Sequence, residues 1–358
     1  QCGASPGLPG PGSICIFPAG ANALLRSDVN VLSIGISNGA TFSWQSGWLT
    51  LRNPSDGSPG TLTNAGLLRM VVVPYPYTRH LSGVLVNTGT LVQEASGTDF
   101  DGASLQNRAT AEVRAGGWYN NTGTNSLVNT GTLTKTTTSS FTITVPMQQQ
   151  NASVNVQAGT LYLVAGSNTH QDVGWSVAEG ATLYLSSDTH TFVGTHGGAI
   201  AGTLIQRSGV VQAGSEGATF TFTGTGYQWR EGTLNGGSAG LTNAGLLRMV
   251  GTYTDIRSLS GVLVNTGTLV QQAGGTRFDG ASLQNRATAE VRAGEWRNNT
   301  GTNSLVNTGT LRKTTTAEFI IWVPMQQQNA IVDVQAGTLY LVAGSNTHQD
   351  VGWSVAEG

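Results

Sequence analysis

Asp99 and Asp101 are the carboxylates best placed for acid/base chemistry. Two residues apart on an extended segment, they share one face. Cleavage of a polysaccharide needs such clustered carboxylates, or carboxylates beside a basic residue or a metal. The second occurrence of the same segment carries Arg277 and Asp279 instead, so a solvated turn is the better reading of the pair. His170 and Asp172 in SNTHQDVGW recur as His348 and Asp350. Their spacing suits a hydrogen-bonded dyad, but no nucleophile accompanies them and a polar loop is the better reading. His190 and His196, near Asp188, could contribute to a metal site, although the dense ligand spacing of zinc sites is missing. The Gly-rich calcium nonapeptide is missing too. GTGYQW and NNTGTN lack the Lys-Ser/Thr and the helix start of a phosphate loop. No catalytic, cofactor-binding or metal residue is assigned on this basis.

The aromatic and hydroxyl residues suggest contact surfaces more than chemistry. Trp118 and Trp296, and Trp175 and Trp353, occupy matching positions in two copies of a repeat. Trp118 lies between Gly117 and Tyr119, both of which differ between the copies, and this places it on the inward face. Trp322 replaces Thr144 on an outward face and is the stronger candidate for binding. Pairs such as Thr88/Thr90 and Thr130/Thr132 invite comparison with ice-binding solenoids, yet they flank turn glycines. Asn120, Asn151 and Asn298 begin N-x-S/T sequons.

Composition narrows the elements that carry these residues. Of 358 residues only 17 are Lys or Arg and 19 Asp or Glu, so charged side chains make up 10%, against roughly 25% in an ordinary soluble domain. A net charge of −2 without a basic block offers nothing to nucleic acid. No apolar run approaches the roughly 18 residues of a membrane span. Glycine takes 50 positions, and a hydrophobic fraction of 38% is too high for a disordered linker. Cys2 and Cys15 bracket a Pro/Gly-rich stretch, SPGLPGPG, and are expected to close a disulfide loop in an oxidising compartment.

Repetition dominates the rest of the chain. SNGATFSW from Ser37 returns as SEGATFTF from Ser215, and LVNTGTL from Leu85 returns from Leu263, both 178 positions later. Residues 81–180 and 259–358 agree at 88 of 100 positions. Eight of the 12 differences cluster in i, i+2 pairs: Glu94/Gln272 with Ser96/Gly274, Gly117/Glu295 with Tyr119/Arg297, Thr142/Ile320 with Thr144/Trp322, and Ser153/Ile331 with Asn155/Asp333. Such pairs share one strand face, which accepts these changes because it is solvent-facing. Phe141, Ile143, Val145, Val154 and Val156 then point inward. A smaller motif, apolar-x-Asn-x-Gly-x-apolar, recurs at about 22 residues, the length of one turn of a β-solenoid. Eight such turns fill one large unit.

The expected fold is therefore all-β, a single-stranded parallel β-helix of about 16 turns, right-handed by the crossover rule. Residues 1–20 form an N-terminal segment, 21–198 the first large unit and 199–358 the second. Asn64, Asn87, Asn107 and Asn129 would stack into an amide ladder, and Gly66, Gly89 and Gly131 would take left-handed turn conformations. No segment sustains a 3.6-residue apolar period, which argues against helix.

LVNTGTL, VNVQAGTLYLVAG and VDVQAGTLYLVAG resemble the repeats of large secreted bacterial β-helix proteins, the autotransporter-passenger and filamentous-haemagglutinin-like adhesins. The resemblance covers most of the chain after about residue 37. It implies export, surface exposure and an adhesive or structural role, while the cysteines depart from that pattern. Two periods of 178 residues make 356, close to the 358 of the chain. On that offset residues 3–20 of a following subunit would replace residues 181–198 of the first. The expectation is a non-enzymatic extracellular fibre subunit, associating head to tail, without cofactor, nucleic-acid partner or membrane span, and with cell-surface or glycan contacts. The alternatives are a fragment of a large monomeric adhesin and a glycan-active β-helix enzyme.

Overall fold

A computed structural model describes residues 10–72, 78–186, 188–252 and 255–356. Short runs of β-branched and aliphatic residues alternate buried and part-exposed positions, and each run forms a strand of mostly three to five residues. The chain is a parallel β-solenoid of about 16 turns. Among the described residues no helix is long and apolar enough to cross a membrane. By internal contacts the chain divides into two compact units: residues up to Asn168 with Gly180–Leu183, and Thr169–Glu179 with Tyr184 onward.

In the first unit a turn consists of three strands. Ser126–Asn129, Thr132–Lys135 and Ser140–Ile143 are followed one turn later by Met147–Gln150, Ser153–Val156 and Thr160–Leu163. Each pairs in parallel with its successor, Leu127 with Met147, Leu133 with Val154 and Phe141 with Leu161. Inward side chains therefore stack in columns such as Leu62, Leu85, Leu105 and Leu127, all buried. Full burial of each such leucine stabilises by about 2 kcal/mol. Phe141, Ile143, Val145, Val154 and Val156 are buried, and Tyr119, one of the variable positions, is exposed. Among the described residues the first stacked strand is Ile14–Phe17, which lies in the N-terminal segment and pairs with Ser33–Ile36. Cys15 is buried on that strand; Cys2 lies outside the described residues, and the pairing of the two with it.

The corner between the first and second strands carries the asparagines. Asn64 Nδ2 donates to Asn87 Oδ1 at 2.7 Å, Asn87 to Asn107 at 2.7 Å and Asn107 to Asn129 at 2.8 Å. The same nitrogens of Asn64 and Asn87 also donate to the carbonyls of Thr90 and Thr110. Gly66, Gly89 and Gly131 sit at this corner, but none adopts a left-handed φ. Their requirement is for space. A Cβ would lie 2.4 Å from Ser37 O at Gly66, 2.3 Å from Gly66 O at Gly89 and 2.1 Å from Ala109 O at Gly131. Ala109, in the same slot, stands where the corner loosens: the Thr110 N–H reaches Gly89 O at 3.3 Å, whereas Thr132 reaches Ala109 O at 2.7 Å.

The second unit repeats this construction, with Leu305 opposite Met325, Leu311 opposite Val332 and Phe319 opposite Leu339. Its amide ladder runs Asn243, Asn265, Asn285 and Asn307 at 2.7–2.8 Å.

Candidate functional site

The outward face of the third strand is where the two copies differ most in chemistry. In the first unit Trp48, His80, Asp99 and Tyr119 lie in register on successive turns. The indole of Trp48 stacks on the His80 ring, with centroids 4.0 Å apart and planes 4° from parallel. His80 Nδ1 is 3.0 Å from Asp101 Oδ2 and 3.8 Å from Asp99 Oδ2, and its Nε2 is 2.8 Å from Thr78 Oγ1. Asp101 Oδ1 accepts from Asn121 Nδ2 and Thr122 Oγ1, each at 2.8 Å. Burial raises the pKa of Asp99, with the Asp101 charge adding and His80 opposing. Burial also pushes Asp101 up, but hydrogen bonds from Thr122, His80 and Asn121 outweigh it and hold that carboxyl below its usual range. Two carboxyls displaced in opposite directions are what general acid and base work requires. His80 did not emerge from the sequence reading, although it precedes Asp99 and Asp101 by one turn, and adding one period to each polar residue would have found it.

The second unit keeps Asp279, which accepts from Asn299 Nδ2 at 2.5 Å and Thr300 Oγ1 at 2.9 Å. Ser258 and Arg277 replace His80 and Asp99. Arg277 stands opposite Arg297 in the next turn. Arg297 Nε pairs with Glu295 Oε1 at 2.6 Å, and Trp322 Nε1 donates to Glu295 Oε2 at 3.2 Å. Trp322 is 42% exposed. Glu295, Arg297, Asn298 and Trp322 line a hollow of about 390 Å³. A second hollow of about 110 Å³ lies against Asp255, Ile256, Gly275, Arg277, Glu295 and Arg297.

The sequence matches no protein-family model, and neither a curated protein nor a solved structure is found to be similar to it.

The remaining candidates divide between core and turn. His170, His190 and His196 are buried among Trp175, Phe192 and Phe220. His170 Nε2 lies 3.1 Å from His190 Nδ1. His196 uses both nitrogens, accepting from the Val173 N–H at 3.4 Å and meeting Val193 O at 2.9 Å. Burial pushes His196 down to about 4 and His170 well below its ordinary value, the neighbouring histidines adding to the latter. Asp172 has φ +49°, which turns its carboxylate out to accept from the Thr195 N–H at 2.8 Å and separates it from the inward His170. Asp188 stands at a turn with φ +29°. His348 and Asp350 are exposed. Among the described residues no group of three or more His, Cys, Asp and Glu side chains is arranged to hold a metal ion. Trp118 and Trp296 are core residues whose Nε1 donates to Gln93 and Gln271, each at 3.3 Å. Thr88 and Thr130 close corners, donating to Asn64 O and Asn107 O. Asn120, Asn151 and Asn298 are exposed.

Four buried cations were not expected from the sequence. Arg79 donates to Val71 O, to Ala95 O at 2.7 Å and to Thr98 Oγ1 at 3.1 Å. Arg257 repeats this with Val250 O, Ala273 O and Thr276 Oγ1. Lys135 and Lys313 donate to Thr137 and Ala158 and to Thr315 and Ala336. Each cation satisfies carbonyls at the corner between the second and third strands, where the turning backbone leaves them without strand partners. Burial lowers Arg79 and Arg257 to about 10 and Lys135 to about 8.

Proposed function

We propose that the protein is a non-enzymatic extracellular structural protein, a subunit of a surface fibre in which β-solenoid turns of successive copies stack head to tail. The observation that carries this reading is the stack itself: each strand pairs in parallel and in register with its equivalent one turn away, Leu133 with Val154 and Leu311 with Val332. Their inward side chains are all buried. Any turn of such a stack presents along its edge the register and apolar side chains that another turn of like sequence covers, and a second copy can supply such a turn. Parallel edges of this kind template pairing with another chain, and a heterologous contact that does not close builds a filament. A Cys2–Cys15 disulfide would brace the N-terminal segment in an oxidising compartment. The secreted adhesin-like character of the repeat motifs accords with the extracellular location.

The His80, Asp99 and Asp101 cluster is the observation that favours the glycan-active reading, but its counterpart retains Asp279 alone, beside Ser258 and Arg277. A structural role explains both copies. The test is negative-stain microscopy with sedimentation across a concentration series. Filaments that lengthen with concentration are expected; short separate particles at every concentration overturn the proposal.

A further inference from the structure

The second unit holds two like charges in register in a chain that otherwise avoids them. Arg277 and Arg297 face outward on adjacent turns, a separation of about 4.8 Å between backbones. Like charges directly opposite one another destabilise a sheet. Glu295 neutralises Arg297 at 2.6 Å, while among the described residues no carboxylate forms an ion pair with Arg277. In the first unit the same two places hold Asp99 and Tyr119. There the Tyr119 ring covers Gly97: a Cβ on Gly97 would lie 2.7 Å from Tyr119 Cε2. In the second unit that ring is gone: the Glu295 side chain approaches Gly275, its Cγ 3.5 Å from where a Cβ would stand, and the hollow beside it is lined by Arg277 and Arg297 together with Asp255 and Glu295. The adjoining larger hollow has the exposed indole of Trp322 as one wall and the Asn298 side chain as another. Glu295 and Arg297 belong to both hollows.

An anion with a flat, partly apolar body answers each of these features. Its charge relieves the Arg277–Arg297 repulsion through planar, charge-assisted hydrogen bonds, and its body lies against the indole. With the Asn298 Oδ1 taken by Asn303 Nδ2, the Asn298 Nδ2 is the donor that faces a hydroxyl group. We propose that this outward face binds the carboxylated sugar of an acidic polysaccharide, with Arg277 and Arg297 on the carboxylate and Trp322 against the ring. Its failure would leave the fibre reading untouched, because the two rest on different surfaces.

Titration of the full chain with alginate, dextran sulfate and neutral dextran tests the assignment. Saturable binding of alginate is expected, with dextran inert and dextran sulfate weaker. Arg277→Asp and Trp322→Thr install the residues that the first unit carries in the same register, so the fold tolerates them. Each is expected to weaken alginate binding by about tenfold or more. Arg286→Asp, at a charge remote from both hollows in their lining, is expected to leave it unchanged. No binding by the unaltered chain, undiminished binding by Arg277→Asp, equal loss in Arg286→Asp, or preference for the sulfated polymer would each overturn the proposal.

Discussion

His196 and Lys135 show how the interior handles groups that could carry charge. His196, buried against Phe192 and Phe220 with His170, His190 and Asp172 around it, is held near 4 by burial; the unfolded chain titrates near 6.5. Between those values the unfolded state binds more protons, so stability is retained above about 6.5 and falls as the pH drops toward 4. Denaturation midpoints measured across this interval should decline toward acid, and His196→Gln should flatten the slope. Lys135 obeys the same sign at higher pH: held near 8 by burial, it lets stability rise between about 8 and 10.5. The ladder asparagines behave differently, because their partners are one another. Asn107→Ala removes the acceptor of Asn87 and the donor to Asn129. The expected loss is about 1–3 kcal/mol, read from urea denaturation.

At the level of the strand and its corner, space decides more than backbone conformation does. Gly131→Ala drives a Cβ to 2.1 Å from the Ala109 carbonyl, and the expected destabilisation is about 1–3 kcal/mol by thermal denaturation. Ala109→Gly should be far milder, because the corner there has already lengthened its hydrogen bond to 3.3 Å. The 22-residue recurrence and the i, i+2 differences sufficed to read the strands, their inward faces and the burial of Trp118, since periodicity reports directly on burial. The left-handed turn at the glycines was misjudged because sequence shows the residue type and not the carbonyl stacked beneath it. Arg79, Arg257, Lys135 and Lys313 escaped notice for a related reason. A cation in sequence reads as exposed, and only the folded corner reveals carbonyl acceptors inside it. His80 was overlooked because its partners are about one turn away along the chain, at Asp99 and Asp101.

Across the molecule as a whole, the scarcity of charge becomes a property of cohesion. Ion pairs such as Arg114–Glu112 and Arg292–Glu290 are part-exposed, and pairs of that kind contribute about 0–1 kcal/mol. Hydrophobic columns and backbone ladders carry the remainder. The thermal midpoint is therefore expected to shift little between low ionic strength and about 1 M sodium chloride, as scanning calorimetry would register. Equivalent strands of the two copies pair in the same register, Leu127 with Met147 and Leu305 with Met325. Unequal exchange between the two copies would thus add or delete an entire unit without turning a single inward residue outward. Length in such a gene is free to drift or be selected, while outward positions such as Trp322 diversify one copy at a time.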